Sequence, residues 1–424
     1  MTTVTLIDAP KQRRLRLPPL WVVATLSALL MMQVSTMNNN DVAEYQCYAL
    51  SFWYGAHGVV HMAANSCIAP AYALAQARFH TFPAEYGPLA MLLFLPPLLL
   101  PAAWYDIAFF FEMALIIVAL AYLLERYGAQ GAGYVWLVYA LLGDMVPAAA
   151  RFDVAPAACV IIALIAVKRQ RLTIAYAAIA VGVLFKFYPL ALLPLLLVES
   201  WRSRSGEPLW RGPVVFASLI VLVEGMVFAI APSVALSPLH FMDARCVQVE
   251  SLPASMGSLL AVLLHKPMTF SSAFNSTCEM TPGLASAQVL AMVMGIVGVA
   301  LSLALYWRRR VSFPLASALL LGSVMVGSKV LSPQYLLWIS PIVALEYGLS
   351  MAALAGWGAV CISTTLCFPL AYDGELGAPL GLPPVVTVPV IAGIRNLLLV
   401  VLGVGCFWRR LRPATGKQLV DGVA

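Results

Sequence analysis

The chain has 424 residues, 62% hydrophobic and only 10% charged, with a mean hydropathy of +0.89. A soluble domain of this length carries far more surface charge, so composition excludes one and leaves a polytopic membrane protein. The net charge of +6 sits mostly in short clusters between apolar runs, which signals membrane orientation and implies no nucleic-acid partner.

The first apolar run, Leu17 to Met37, is long enough to cross a bilayer. It lacks a small-residue cleavage site, so it reads as a retained helix and not a signal peptide. Basic clusters at Lys11–Arg16, Arg126, Lys168–Arg171, Arg202–Arg211, Arg308–Arg310 and Arg409–Lys417 hold most of the 25 lysines and arginines. Placing them all in the cytoplasm puts both termini inside. The spans then fall near 18–37, 105–124, 132–150, 153–168, 172–186, 188–200, 212–233, 286–306, 312–328, 333–348, 350–371 and 385–407. The expected fold is therefore all-α: one integral membrane domain over 1–424, with about twelve transmembrane helices and two long outer loops.

The first outer loop, 38–104, follows span 18–37 and carries Asp41, Glu44, Tyr45, His57, His61, His80 and Glu85-Tyr86-Gly87-Pro88. Its last part, Pro88 to Trp104, is apolar but broken at Pro96-Pro97 and Pro101, and reads as an interfacial or re-entrant helix. Residues 172–200 are too few for two full crossings, which need about 40 residues. Two short helices are expected to turn at Lys186-Phe187-Tyr188-Pro189, below the outer surface, where a lysine faces a wet cavity or a phosphate. The second long outer loop, 234–285, holds His240, Arg245, Gln248, Glu250 and His265. Arg78, Arg151, Lys186, Arg245, Lys266 and Lys329 sit at the outer face against the orientation bias, and Arg395 falls inside the last span. Cations so placed need an anionic partner or a cavity. Glu112, Asp144 and Glu224 lie at membrane depth, as bundle contacts or as cavity lining. Four of the eight cysteines fall two per outer loop, which suits Cys47–Cys67 and Cys246–Cys278 disulfides, free thiols being the other reading. No metal-ligand spacing and no nucleotide fingerprint is present, so no metal or cofactor is expected.

Asp41, directly after the first span, reads either as a general base at the mouth of a membrane cavity or as a helix cap. The order of motifs favours the first. Asp41-Val-Ala-Glu-Tyr45, Tyr86-Gly-Pro88, Lys186-Phe-Tyr188-Pro189, the loop from His240 through Arg245 and Gln248 to Glu250-Ser251, and Ser332-Pro333-Gln334-Tyr335-Leu-Leu-Trp338 occur in sequence on one predicted face. In this the chain resembles the GT-C superfamily of polyprenyl-phosphate-sugar-dependent membrane glycosyltransferases, in particular the bacterial branch that includes phosphatidylinositol-mannoside mannosyltransferases. Arg151-Phe-Asp153 is more charged than that pattern, and the resemblance names neither the sugar nor the acceptor.

The resemblance implies an inverting transfer of mannose or another hexose or pentose, from a polyprenyl monophosphate to a lipid or glycan acceptor outside the cell membrane. Asp41 would be the base, with Glu44 and Glu85 in reserve. Lys186, His240, Arg245 and Lys329 would hold the donor phosphate, although Lys329 also reads as an interfacial snorkelling residue. Tyr45, Tyr86, Arg151, Asp153, Tyr188, Gln248, Glu250, Gln334 and Tyr335 would line the substrate pocket. Arg151 and Asp153 also read as a structural ion pair with each other. The alternative function is a multi-pass lipid or solute transporter or flippase, which usually shows paired halves with broken helices in equivalent places. The break at Lys186 has no counterpart in the second half of this sequence.

Overall fold

The structure, a computed structural model, describes residues 17–36, 40–55, 82–83, 85–203, 206–232, 237–273 and 276–412. It is 77% helical. The helices run in the order α1 Leu20–Ser35, α2 Asn40–Tyr54, α3 Tyr105–Tyr127, α4 Ala132–Gly143, α5 Val154–Lys168, α6 Leu172–Phe185, α7 Leu193–Arg202 and α8 Arg211–Ile230. They continue with α9 Ser237–Ala244, α10 Leu252–Leu263, α11 Leu284–Trp307, α12 Phe313–Gly327, α13 Leu336–Tyr347, α14 Met351–Thr365 and α15 Pro384–Leu411.

Among the described residues, five helical stretches are long and apolar enough to cross a membrane: 102–127, 211–230, 284–307, 351–371 and 384–411. The other expected crossings are shorter. Helix α1 has 16 residues and reaches about 24 Å at 1.5 Å per residue, against a hydrocarbon core of about 30 Å. Pro88 to Trp104 is divided into short helical turns at Pro88–Ala90, Met91–Phe94, Pro96–Leu99 and Ala102–Trp104, as its prolines require.

The buried core runs through α3, α4, α5, α6, α12 and α13, while α8 lies at the periphery with only Gly212 and Val227 buried. With little hydrophobic drive between apolar helices in lipid, close approach depends on small residues. At the α11–α12 crossing, a Cβ built on Gly295 would lie 2.8 Å from Gly327 Cα, so only glycine admits this backbone contact.

The stretch expected as the second outer loop, 234–285, departs from the all-α expectation. Its apolar stretch forms α10, and Phe270–Ala273 (β1) pairs antiparallel with Ser276–Glu279 (β2), Phe270 opposite Glu279. Beside β2 lies the segment Val247–Val249: Val249 N–H donates to Thr277 O (3.0 Å) and Glu279 N–H to Val247 O (2.9 Å). The expected Cys246–Cys278 disulfide is present and fastens this third edge. Cys47 is also disulfide-bonded; its expected partner Cys67 lies outside the described residues, as do His57, His61, His80 and Arg78.

Arg395, the cation expected inside the last span, has its anionic partner. The fully buried guanidinium meets Glu250 Oε2 at 3.4 Å and donates to the carbonyls of Glu250 (2.6 Å) and Leu331 (3.1 Å). Asn396 Nδ2 donates to the same Glu250 carbonyl at 3.0 Å. This ties the segment around Glu250 to α15. Arg395→Met should leave Glu250 buried and uncompensated, at a cost of about 3–5 kcal/mol. Thermal unfolding should show a large loss for Arg395→Met and partial recovery in Arg395→Met/Glu250→Gln; additive losses would mean that the pair is not coupled.

Candidate active site

The site is assembled from six segments, beginning with α2. Asp41 lies inside its first turn, where a carboxylate favours the helix dipole. Asp41, Glu44 and Tyr48 follow at helical spacing on one side. Tyr45 points into the core instead: it stacks on Phe94 (centroids 4.4 Å, 7°) and meets Phe109 at 5.2 Å and Phe152 at 5.7 Å. This corrects the expectation of Tyr45 as a pocket residue, since an aromatic ring beside an apolar helix gains most by burial.

Glu85-Tyr86-Gly87 packs on the end of α6. Gly87 N–H donates to Phe185 O at 3.1 Å, and a Cβ on Gly87 would lie only 2.2 Å from Leu184 O. That approach sets Glu85 against α2, where it accepts a 2.6 Å hydrogen bond from the Tyr48 hydroxyl. Glu44 hydrogen-bonds to the same carboxylate. Burial first, then the charges of Glu85 and Asp41, push Glu44 up to about 9. Burial also raises Glu85, while the hydrogen bonds from Tyr48 and Glu44 hold it back down. Near neutral pH Glu44 therefore keeps its proton and acts as a donor toward the Glu85 carboxyl.

Arg151 and Asp153 join the turn Pro147–Ala150 to α5. They do not pair with each other, which corrects that reading. Arg151 Nη2 lies 2.8 Å from Asp41 Oδ2. Asp153, 1% exposed, receives Lys186 Nζ at 2.8 and 3.0 Å and the Trp338 indole N–H at 2.8 Å. Each charge has found the partner that desolvation demands, and those partners lie on other segments.

Lys186 stands in extended backbone where α6 ends, before the turn Tyr188–Leu192. Its ammonium lies 5.5 Å from the ring centroids of Tyr86 and Phe152, 5.7 Å from Trp338 and 5.9 Å from Tyr335. Such contacts are favourable to a desolvated cation. Trp338 is sandwiched between Tyr188 (4.0 Å, 3°) and Tyr335 (3.9 Å, 22°). Where the sequence predicts a cavity or a phosphate facing Lys186, its first partner is the Asp153 carboxylate.

Arg245 enters from the segment after α9, held by the neighbouring Cys246–Cys278 disulfide. Its charge is felt at Glu85, Lys186 and Tyr335. Among the described residues Arg245 has no ion pair within 4.0 Å, and its Nε is buried without a hydrogen-bond partner. The Tyr188 hydroxyl, Gln248 Oε1 and Gln334 Oε1 are likewise buried and unpartnered.

Other predicted residues stand elsewhere. His240 is exposed on α9. Lys329 Nζ donates to Asp243 O (2.7 Å) near the end of α9, where a cation suits a helix C-terminus. Glu250 is a structural anchor rather than a pocket wall, ion-paired with Arg395 and accepting from Gln248 (3.3 Å) and Tyr372 (3.0 Å). Gln248 also reaches Ser332 Oγ at 3.2 Å. Phe152, Tyr48 and Trp338 were not singled out as site residues. Tyr48 was detectable from its helical spacing to Asp41 and Glu44, and Trp338 from its place in the Ser332-to-Trp338 motif.

No family model matches the chain, and a search of curated proteins finds no match.

Glu44 gives the site a pH signature. Its folded pKa lies above the ordinary 4.5, so the stability that it contributes is complete at low pH and is lost as pH rises through about 9. The melting temperature of the wild type should therefore fall more steeply than that of Glu44→Gln between about pH 5 and about pH 9. Parallel curves would mean that Glu44 titrates like an exposed carboxyl.

Proposed function

We propose that the chain is an inverting membrane glycosyltransferase. It would transfer a hexose or pentose, mannose being the leading case, from a polyprenyl monophosphate to a lipid or glycan acceptor at the outer face of the cell membrane. The observation that carries this reading is the gathering of Asp41, Arg151, Lys186 and Arg245 in one aromatic-walled cluster. The proposed topology has about twelve crossings, with the shorter apolar helices completing the count and both termini in the cytoplasm.

In the proposed reaction the acceptor oxygen attacks the anomeric carbon from the face opposite the phosphate. The carbon–oxygen bond to phosphate breaks, the lipid phosphate leaves, and Asp41 takes the acceptor's proton. Arg151 holds Asp41 in place by its 2.8 Å contact. The growing phosphate charge needs fixed donors. Arg245 is the foremost candidate, having no ion pair among the described residues, and Lys186 follows with the N–H that Asp153 does not occupy. The unpartnered Tyr188 and Gln334 atoms suit a polyhydroxylated sugar.

Asp41→Asn keeps the size of the side chain and can still accept from Arg151. It should leave donor binding intact and cut turnover about 10²–10⁴-fold. Arg245→Gln should cost about 10²–10³ in rate. Both are read by radiolabelled sugar transfer from a panel of polyprenyl-phosphate sugars; full activity in Asp41→Asn would remove Asp41 as the base, and no transfer by the wild type from any donor of the panel would favour the transporter. A reporter fused near His57 should report from outside the cell, and a cytoplasmic signal would overturn the topology.

A further inference from the structure

A concave apolar feature lies outside the Asp41 cluster. Helices α11 to α15 line a half-open apolar cavity of about 450 Å³, bounded in part by Gly298, Ala318, Gly322, Val343, Leu399 and Gly403. Glu346, Tyr347, Ser350 and Arg409 also line it, at the ends of α13 and α15 and the start of α14. Arg308, Arg309 and Arg310 follow α11, while Arg409, Arg410 and Arg412 lie at the end of α15. The two stretches are tied together: Arg310 Nη1 donates to the carbonyls of Arg410 (3.2 Å) and Arg412 (3.0 Å). The carboxylate at this end of the cavity is Glu346, already engaged by the Ser312 hydroxyl at 2.6 Å.

Arg409 lines this end of the cavity, and Arg310 ties it to Arg410 and Arg412, so guanidinium groups gather there as an anion-attracting rim. We propose that one acyl chain of an anionic phospholipid occupies this cavity, with its phosphate at Arg409 and the neighbouring arginines. Under the topology proposed above, that lipid belongs to the cytoplasmic leaflet. Volume, apolar walls and charged rim together match a chain with an anionic head; a zwitterionic lipid would match the walls alone. Helix α13 joins this cavity to the cluster, since Trp338 bonds Asp153 near one end and Tyr347 lines the cavity at the other. A seated chain therefore supports the helix that carries Trp338.

The test uses the full chain, purified in detergent and delipidated, with phosphatidylglycerol or phosphatidylcholine of identical acyl chains added. Phosphatidylglycerol should stay bound in native mass spectrometry and raise the melting temperature by several degrees, with phosphatidylcholine doing much less. Arg409→Gln/Arg410→Gln should lose that preference. A Cβ at Gly322 would meet only Ile339 Cδ1, at 3.8 Å, so Gly322→Leu should fill the space and abolish the lipid response. Ala318→Phe is the second filling variant. As a readout independent of both, phosphatidylglycerol with brominated chains should quench the fluorescence of Trp357, a lining residue, measured as the difference from Trp357→Phe. Equal stabilisation by both lipids, an unchanged response in a folded filling variant, or no quenching of Trp357 would overturn the proposal. So would displacement of phosphatidylglycerol by polyprenyl phosphate, which would make the cavity a donor-tail site. None of these measurements needs sugar transfer, so failure here and failure of the glycosyltransferase reading are separable.

Discussion

The buried carboxylate of Asp153 is the constraint on which the site depends. It sits at the start of α5, 1% exposed, and takes hydrogen bonds from Lys186 and from the Trp338 indole. A carboxylate removed from water requires charged or strongly polar donors. Meeting that requirement draws the end of α6 and the start of α13 onto the start of α5. The aromatic sandwich of Tyr188, Trp338 and Tyr335 follows, because its three rings belong to the segments so drawn together. With Asp153 neutralised or removed, Lys186 would be left as a desolvated cation among four rings, and the stack would lose its anchor.

Charge pairing elsewhere follows the same rule. Arg151 answers Asp41, and Arg395 answers Glu250. Each pair joins segments distant in sequence, so the ion pairs act as clasps between helices as well as local neutralisation. Among the described residues, the cation that they leave unpaired at the cluster is Arg245. It is carried on a segment that the Cys246–Cys278 disulfide and the ladder bonds to β2 hold in place. A rigid, unpaired guanidinium is better suited to an incoming anion than one already paired, because no resident contact has to be broken.

The acidic side of the cluster is divided by the same means. Asp41 is held by a cation, whereas Glu44 faces two other carboxylates in a half-buried place and keeps a proton. Carboxyl groups of one chemical type, close together, thus acquire opposite roles from their neighbours alone. That division is a physical reason for the proposal that Asp41 is the base, with Glu44 as a hydrogen-bond donor beside it.

The helical fold was legible from apolar runs and proline breaks, because both act over a few residues: the end of α6 at Lys186 and the broken stretch after Pro88 stand where prolines put them. The sequence also marked Asp41, Lys186 and Arg245 as charges needing partners, and the cysteines of the second loop as a pair. It did not say which charge meets which. Arg151 and Asp153 are two positions apart and looked like each other's partner, yet α2 supplies one partner and the end of α6 the other. Lys329 and Glu250 carried the residue types of a binding site but hold a carbonyl and an arginine. Pairing of this kind depends on which segments approach within a few ångströms, and in an apolar bundle that is settled by small-residue contacts such as Gly87 on Leu184 and Gly295 on Gly327. Those contacts are made across the fold, so local sequence determines the helices and their charges, while only tertiary packing decides the partners.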